Sequence, residues 1–222
     1  MTTPHLKYLP VWSLPLRLCH WGLALAVMVG LATGWLMTWA PERAAGVLEI
    51  HYLAAALLTA ALVARLGLLA AGRGSDRLRE LLPNRHRLRQ ALAVLRSYLT
   101  LGKLPLPRWY AHNPLWAPLY LLLFVVLGIQ ILTGALLLEQ ITLIGTLRVR
   151  ALHALGHELL LGFVLLHLAA VFFHDAKGAH QADLSAMVNG HRLFGIEPLS
   201  METKGRAQVV PLDALLQTSK KR

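Results

Sequence analysis

The sequence predicts an all-α fold, an integral membrane four-helix bundle with both termini cytoplasmic, and three observations predict it. Of 222 residues, 56% are hydrophobic and only 15% charged, whereas a soluble domain carries charge on about a quarter of its residues. The apolar residues gather into four runs, from Leu18 to about Ala40, His51 to Ala71, Leu115 to Leu138 and Leu152 to Phe173. Each is about 20 residues or longer, enough to cross a hydrocarbon core of about 30 Å. They show almost none of the polar striping at helical spacing that a soluble bundle displays.

The first run is longer than the apolar core of a cleaved signal peptide, and no small-residue cleavage site clearly follows it, so it reads as a retained helix. The connections set direction. Between spans two and three lie Arg73, Arg77, Arg79, Arg85, Arg87, Arg89, Arg96, Lys103 and Arg108. The N-terminal segment adds Lys7 and Arg17, and the tail adds Lys177, Arg192, Lys204, Arg206, Lys220, Lys221 and Arg222. The first connection offers only Arg43, beside Glu42 and Glu49, and the third only Arg148 and Arg150. Cytoplasmic loops collect Lys and Arg, so both termini and the middle connection are expected in the cytoplasm. The net charge of +11 is thereby a matter of topology, and no basic cluster interleaved with aromatics points to nucleic acid. Residues 1–175 read as the membrane domain and 176–222 as a cytoplasmic tail.

Trp12, Trp21, Trp35, Trp39, Trp109 and Trp116 fall near span ends, where interfacial anchoring suffices to explain them. Leu88 to Leu99 forms an amphipathic stretch suited to the cytoplasmic membrane surface. In the tail, Leu184 to Phe194 reads as a short surface segment, followed by a flexible end.

Cys19 is the single cysteine, so neither an intrachain disulfide nor a thiolate metal cluster can form, and no C-x-x-C-H run is present to attach haem covalently. Histidine is the residue of interest, because ionisable groups inside a bilayer are costly and mark functional sites. His20 opens span one, His51 opens span two, and span four carries His153, His157 and His167. The fourteen residues from His153 to His167 bring the second side chain within about 40° of the first, roughly 21 Å further along the helix axis. Span one runs outward and span two returns, so His20 matches His167 in depth and His51 matches His153. Axial ligation of haem iron by two imidazoles requires such pairs, one ring on each side of the porphyrin. His157 competes for the periplasmic pair but stands about 80° from the face of His167. His112 and His174 fall at interfaces, where a hydrogen-bonding or capping role is commoner.

Arg65 lies fourteen residues after His51, on nearly the same face, where it suits a haem propionate or a quinone oxygen or simply snorkels to the surface. Arg17 and Arg148 are weaker candidates of the same kind. Gly30 and Gly34 form a G-x-x-x-G pair, which permits close helix approach or leaves room for a flat macrocycle.

The run V-W-S-L-P-L-R-L-C-H-W from Val11 to Trp21, H-N-P-L from His112 to Leu115, I-L-T-G from Ile131 to Gly134 and the fourteen-residue histidine spacing resemble the prokaryotic cytochrome b561 and nickel–iron hydrogenase b-type cytochrome family. L-S-A-M-V-N-G-H-R-L-F, Leu184 to Phe194, resembles the tail of its hydrogenase-linked branch. The resemblance covers nearly the whole chain. It implies a four-helix core binding two b haems, with His20, His51, His153 and His167 at the family's ligand positions. It also implies an electron-transfer subunit of an oxidoreductase complex in the bacterial inner membrane, working between a periplasmic redox partner and the quinone pool. The third connection, about a dozen residues around Ile141 to Arg150, departs from the hydrogenase branch. It leaves little surface for docking a large hydrogenase, so a c-type cytochrome or another dehydrogenase fits equally well. The quinone would be met near His20, Arg65 and His167.

The resemblance also admits superoxide oxidation coupled to quinone reduction, and the residues themselves admit metal-ion transport through intramembrane histidines or a cofactor-free membrane anchor. Transport would need carboxylates along a path, and only Glu158 lies well inside a span. Two histidines per iron leave no open coordination position, which argues against oxygen binding.

Overall fold

A computed structural model describes residues 5–107, 109–177 and 183–196. Lys7–Phe194 form one compact unit, described by itself below. Four helices in it are long and apolar enough to span a membrane. They are α1 (Leu14–Trp39), α2 (Ala44–Ala71), α4 (Trp116–Leu138) and α5 (Val149–Lys177), with β1 (His5–Pro10) before α1 and α3 (Arg85–Leu99) between α2 and α4. The strands β2 (Leu143–Ile144) and β3 (Leu147–Arg148) form a tight antiparallel hairpin before α5. After α5 come α6 (Asp183–Asn189) and β4 (His191–Ile196), the latter paired with β1. The expected flexible end beyond residue 196 lies outside the described residues.

Local chemistry sets the helix ends. The Ser13 hydroxyl accepts from the Leu16 N–H at 3.2 Å, and Pro15 in the first turn sacrifices no helical hydrogen bond. Pro41 follows α1, and a 3₁₀ turn over Pro41–Arg43 leads into α2. That helix starts seven residues before the apolar run at His51, because Ala44, Ala45 and Glu49 favour helix without having to enter hydrocarbon. At the ends of α3 and α4 the left-handed Leu101 (φ 51°) and Gln140 (φ 60°) let Gly102 N–H reach Ser97 O and Ile141 N–H reach Leu136 O, which satisfies the last carbonyls.

α1 packs chiefly on α2 and α4 on α5, and the two helical hairpins meet through α2–α4 and α1–α5. Gly22 permits the first of these contacts, since a Cβ there would stand 3.3 Å from the Ala61 methyl. The middle of the bundle is apolar, with Ala26 and Leu31 from α1, Leu58 and Leu62 from α2, Leu127 from α4 and Leu160 from α5. Most leucines on the outward faces of the spans are exposed, as a helix surrounded by lipid allows.

At the end of the bundle carrying the middle connection, the basic end, polar groups tie the connections down. Trp21 Nε1–H donates to Met187 O at 3.1 Å, and an Arg17 Nη1–H donates to Val188 O, so the start of α1 caps the carbonyl end of α6. The α3 residues Ala91, Val94 and Ser97 are buried, and Tyr98 binds Asn113, Trp116 and His174. His112 packs edge-on against Trp12, with ring centroids 4.8 Å apart, and its Nδ1 is buried without a hydrogen-bond partner. Burial, with the charges of Arg65 and Arg87 nearby, pushes the His112 imidazole down from the ordinary 6.5 to about 3.

Between those two values the unfolded chain takes up a proton that the folded chain refuses, so the His112 contribution to stability falls as pH falls through that window. The unfolding midpoint of the detergent-solubilised protein should drop over this acid range, and less steeply for His112→Gln. Equal slopes in the two proteins would show that His112 has no part in it.

Candidate functional site

The antiparallel helices bring the membrane histidines together in two places. At the basic end the His20 and His167 ring centroids are 6.3 Å apart, with their planes inclined at 58°. At the opposite end those of His51 and His153 are 6.2 Å apart, inclined at 69°. Two imidazoles bound to opposite sides of one metal ion through ~2 Å bonds, each ring centre ~1 Å behind its nitrogen, have centroids ~6 Å apart. Both pairs have the separation a shared iron would require. Fourteen residues of α5 part His153 from His167, and the apolar layer around Leu127 and Leu160 lies between the pairs.

The His51/His153 pair is braced by hydroxyls. Thr33 Oγ1 lies 2.7 Å from His51 Nδ1 and donates its own proton to Val29 O at 2.7 Å. Thr133 Oγ1 lies 2.9 Å from His153 Nδ1 and donates to Ile129 O at 2.8 Å. A hydroxyl has one proton, and here a carbonyl takes it, so each imidazole must donate from Nδ1. Nε2 is left as the lone-pair atom on both rings, the tautomer that binds metal. A glycine follows each threonine. A Cβ at Gly134 would stand 3.4 Å from His153 Cε1, and one at Gly34 would stand 3.3 Å from His157 Cδ2 and 3.9 Å from His51 Cε1. Gly34 therefore makes room for imidazoles, while a Cβ at Gly30 would meet nothing within 4 Å. Gln130 adds a contact from Nε2–H to His153 O at 3.0 Å.

His157 is engaged elsewhere. Its Nε2–H donates to Leu31 O at 3.2 Å, and its Nδ1 lies 3.4 Å from Glu158 Oε1, whose side chain points outward from the bundle.

The His20/His167 pair is walled by aromatic rings. Phe163, one turn before His167, stacks on it at 5.8 Å with planes 7° apart, and Trp116 (5.6 Å) and Tyr120 (6.3 Å) meet its ring edge-on. Trp116 is buried, and its Nε1–H donates to Tyr98 Oη at 3.2 Å. Interfacial anchoring fits the exposed Trp35 and Trp39 but not Trp116, whose indole is packed inside the bundle. Arg65 does not snorkel: it is buried, donates from Nη1 to Asp76 O at 2.9 Å, and lies over the Phe124 ring. Arg17 Nε is buried without a partner. Arg148 stands exposed on the β2–β3 hairpin, at the other end. His174 accepts the Tyr98 hydroxyl proton at 2.7 Å, since Asn113 and Trp116 already donate to that oxygen.

Thr33, Thr133, Gln130 and Phe163 are additions to the site residues expected from the sequence, and Trp116, expected only as an anchor, joins them. The threonines leave a trace there, as Thr-Gly pairs at 33–34 and 133–134 in otherwise apolar spans.

The family described as "Prokaryotic cytochrome b561" matches residues 11–190. The chain is 29% identical over 213 residues to a "Probable Ni/Fe-hydrogenase B-type cytochrome subunit" of Cupriavidus necator, covering 83% of this chain and 86% of that one. No solved structure matches it. A match over so much of the chain, together with four spans, shows that it belongs to the prokaryotic cytochrome b561 family, as a multi-pass b-type cytochrome of the bacterial inner membrane that carries haem b and serves electron transfer.

Proposed function

We propose that this chain binds two b haems and carries electrons across the inner membrane between a periplasmic redox partner and the quinone pool. His51 and His153 hold one haem toward the periplasm, and His20 and His167 hold the second toward the cytoplasm. The observation carrying this reading is the centroid separation of 6.3 Å in one pair and 6.2 Å in the other. Bound there, haem supplies a reversible one-electron couple whose potential the protein tunes through axial ligands, burial and hydrogen bonds.

The chain's own residues have distinct tasks. Thr33 and Thr133 fix the ring orientation and tautomer of His51 and His153. Phe163, Trp116 and Tyr120 keep water from His167. Arg17 Nε, buried without a partner, is a donor for a propionate. Arg65, already bonded to Asp76 O, has further guanidinium protons for a propionate or a quinone oxygen. The distribution of Lys and Arg supports cytoplasmic termini and a cytoplasmic middle connection. The hydrogenase subunit named among its relatives supports a hydrogenase as the periplasmic partner. The tight β2–β3 hairpin favours a partner with a smaller footprint, such as a c-type cytochrome or another dehydrogenase.

A reduced-minus-oxidised spectrum of the purified protein should show b-type bands, and a pyridine haemochrome assay should give two haems per chain. His167→Ala and His153→Ala should each remove one haem, and His157→Ala neither. If His157→Ala lost a haem while His153→Ala kept both, the ligand choice would be wrong.

Thr33→Val and Thr133→Val keep side-chain shape but leave an imidazole Nδ1–H without its acceptor. Each should weaken retention of one haem by ~10–100-fold, as outer-sphere changes at metal sites do. The haem concerned should be the one lost in His153→Ala. Wild-type haem retention in both valine variants would remove the threonines from the site.

A further inference from the structure

The sequence of α3 divides its surface into three sectors. At about 100° per residue, Leu88, Leu92, Leu95 and Leu99 fall within an arc of ~60°, and Arg85, Arg89 and Arg96 fill the adjoining ~40°. Ala91, Val94 and Ser97 lie on the opposite side and are buried against the protein. The four leucines are 58%, 50%, 40% and 76% exposed, a continuous apolar row that the described residues leave uncovered. The three arginines are exposed as well, and none forms a salt bridge among the described residues.

The height of the helix decides what covers this row. Tyr98 ties α3 to Asn113 and Trp116, at the start of α4, and to His174, near the end of α5. The helix thus lies level with the ends of the spans, where hydrocarbon gives way to headgroups. Leucines flanked by arginines at that level match acyl chains flanked by phosphates. The surrounding connection carries nine Lys and Arg between Arg73 and Arg108 against only Asp76 and Glu80, and such a field selects anionic over zwitterionic lipid.

We propose that α3 is a binding surface for anionic phospholipid, and that occupancy there is transmitted to the His20/His167 pair. The link is short. Tyr98, on the inward side of α3, receives the indole N–H of Trp116, whose ring edge lies 5.6 Å, centroid to centroid, from His167. Any shift of α3 on its lipids moves the group that holds this indole in place. The lipid surface stands on the structure of α3 alone, and the transmission rests on the haem assignment above.

The test uses the full-length protein in nanodiscs of phosphatidylcholine, with and without phosphatidylglycerol. A fluorophore on Leu92→Cys, in a Cys19→Ser background, should be quenched by lipids spin-labelled near the headgroup. Native mass spectrometry should show phosphatidylglycerol retained in preference to phosphatidylcholine. That preference should fall on the order of a hundredfold in Arg85→Gln/Arg89→Gln/Arg96→Gln, the loss of three surface charges facing anionic lipid. Phosphatidylglycerol should also shift the midpoint potential of the haem that His167→Ala removes. Tyr98→Phe should abolish this shift without changing lipid retention. An unquenched label, or no lipid preference, overturns the lipid surface. Quenching and preference with an unmoved potential overturn the transmission. A protein with no b-type spectrum defeats the haem assignment and leaves both lipid readouts intact.

Discussion

Nδ1–H groups buried between membrane helices constrain the rest of this structure. A neutral imidazole that offers one nitrogen to a metal must find an acceptor for the proton on the other, and hydrocarbon supplies none. The chain meets the demand within the spans. Thr33 and Thr133 each give their proton to a carbonyl one turn back on their own helix, which frees the oxygen to receive an imidazole N–H. The glycine after each threonine keeps space for an imidazole beside it. One short device, repeated on α1 and α4, orients His51 on α2 and His153 on α5. It braces each helical hairpin from within, at the level where the imidazoles of the two hairpins face each other.

The two imidazole pairs are built from different materials. The His51/His153 pair is set by hydroxyls and by the Gln130 amide, whereas His167 sits among Phe163, Trp116 and Tyr120. Hydrogen bonds to a ligand raise its basicity, while an aromatic wall lowers the local dielectric and excludes water. Two haems held as proposed would acquire different potentials in these settings. The second pair lies at the basic end, where Tyr120 meets the rings of both His112 and His167 at 6.3 Å.

Much of this was legible in the residues, for a physical reason. Apolar runs of bilayer length have few alternative structures, so the four spans followed from hydropathy, although α2 begins well before its apolar run, where Ala44 to Glu49 can be helical outside hydrocarbon. The facing of His20 with His167 and of His51 with His153 followed from helical period and antiparallel direction, two quantities that hardly vary in a membrane. What one helix does to another through a single side chain was not legible. Thr33 and Thr133 read as mild interruptions of apolar runs until the partner helix is in place. Trp116 reads as an anchor because its position near a span end is visible, whereas its burial against His167 depends on how α4 and α5 pack.

The same geometry separates electron transfer from ion transport. A bare cation held by imidazoles takes about four ligands, yet two imidazoles face each other in each pair. Among the described residues no three of His, Cys, Asp and Glu converge on one point. Two opposed imidazoles suit an iron whose remaining positions are already filled by a planar macrocycle. The bundle centre gives the same answer: Ala26, Leu58, Leu62, Leu127 and Leu160 close it with buried hydrocarbon, and Glu158, well inside a span, turns its carboxylate outward. A hydrated or ligand-stripped ion would pay heavily to cross that layer. An electron carries no hydration shell through it, so a packed apolar layer between the two imidazole pairs blocks ions while leaving the proposed electron transfer possible.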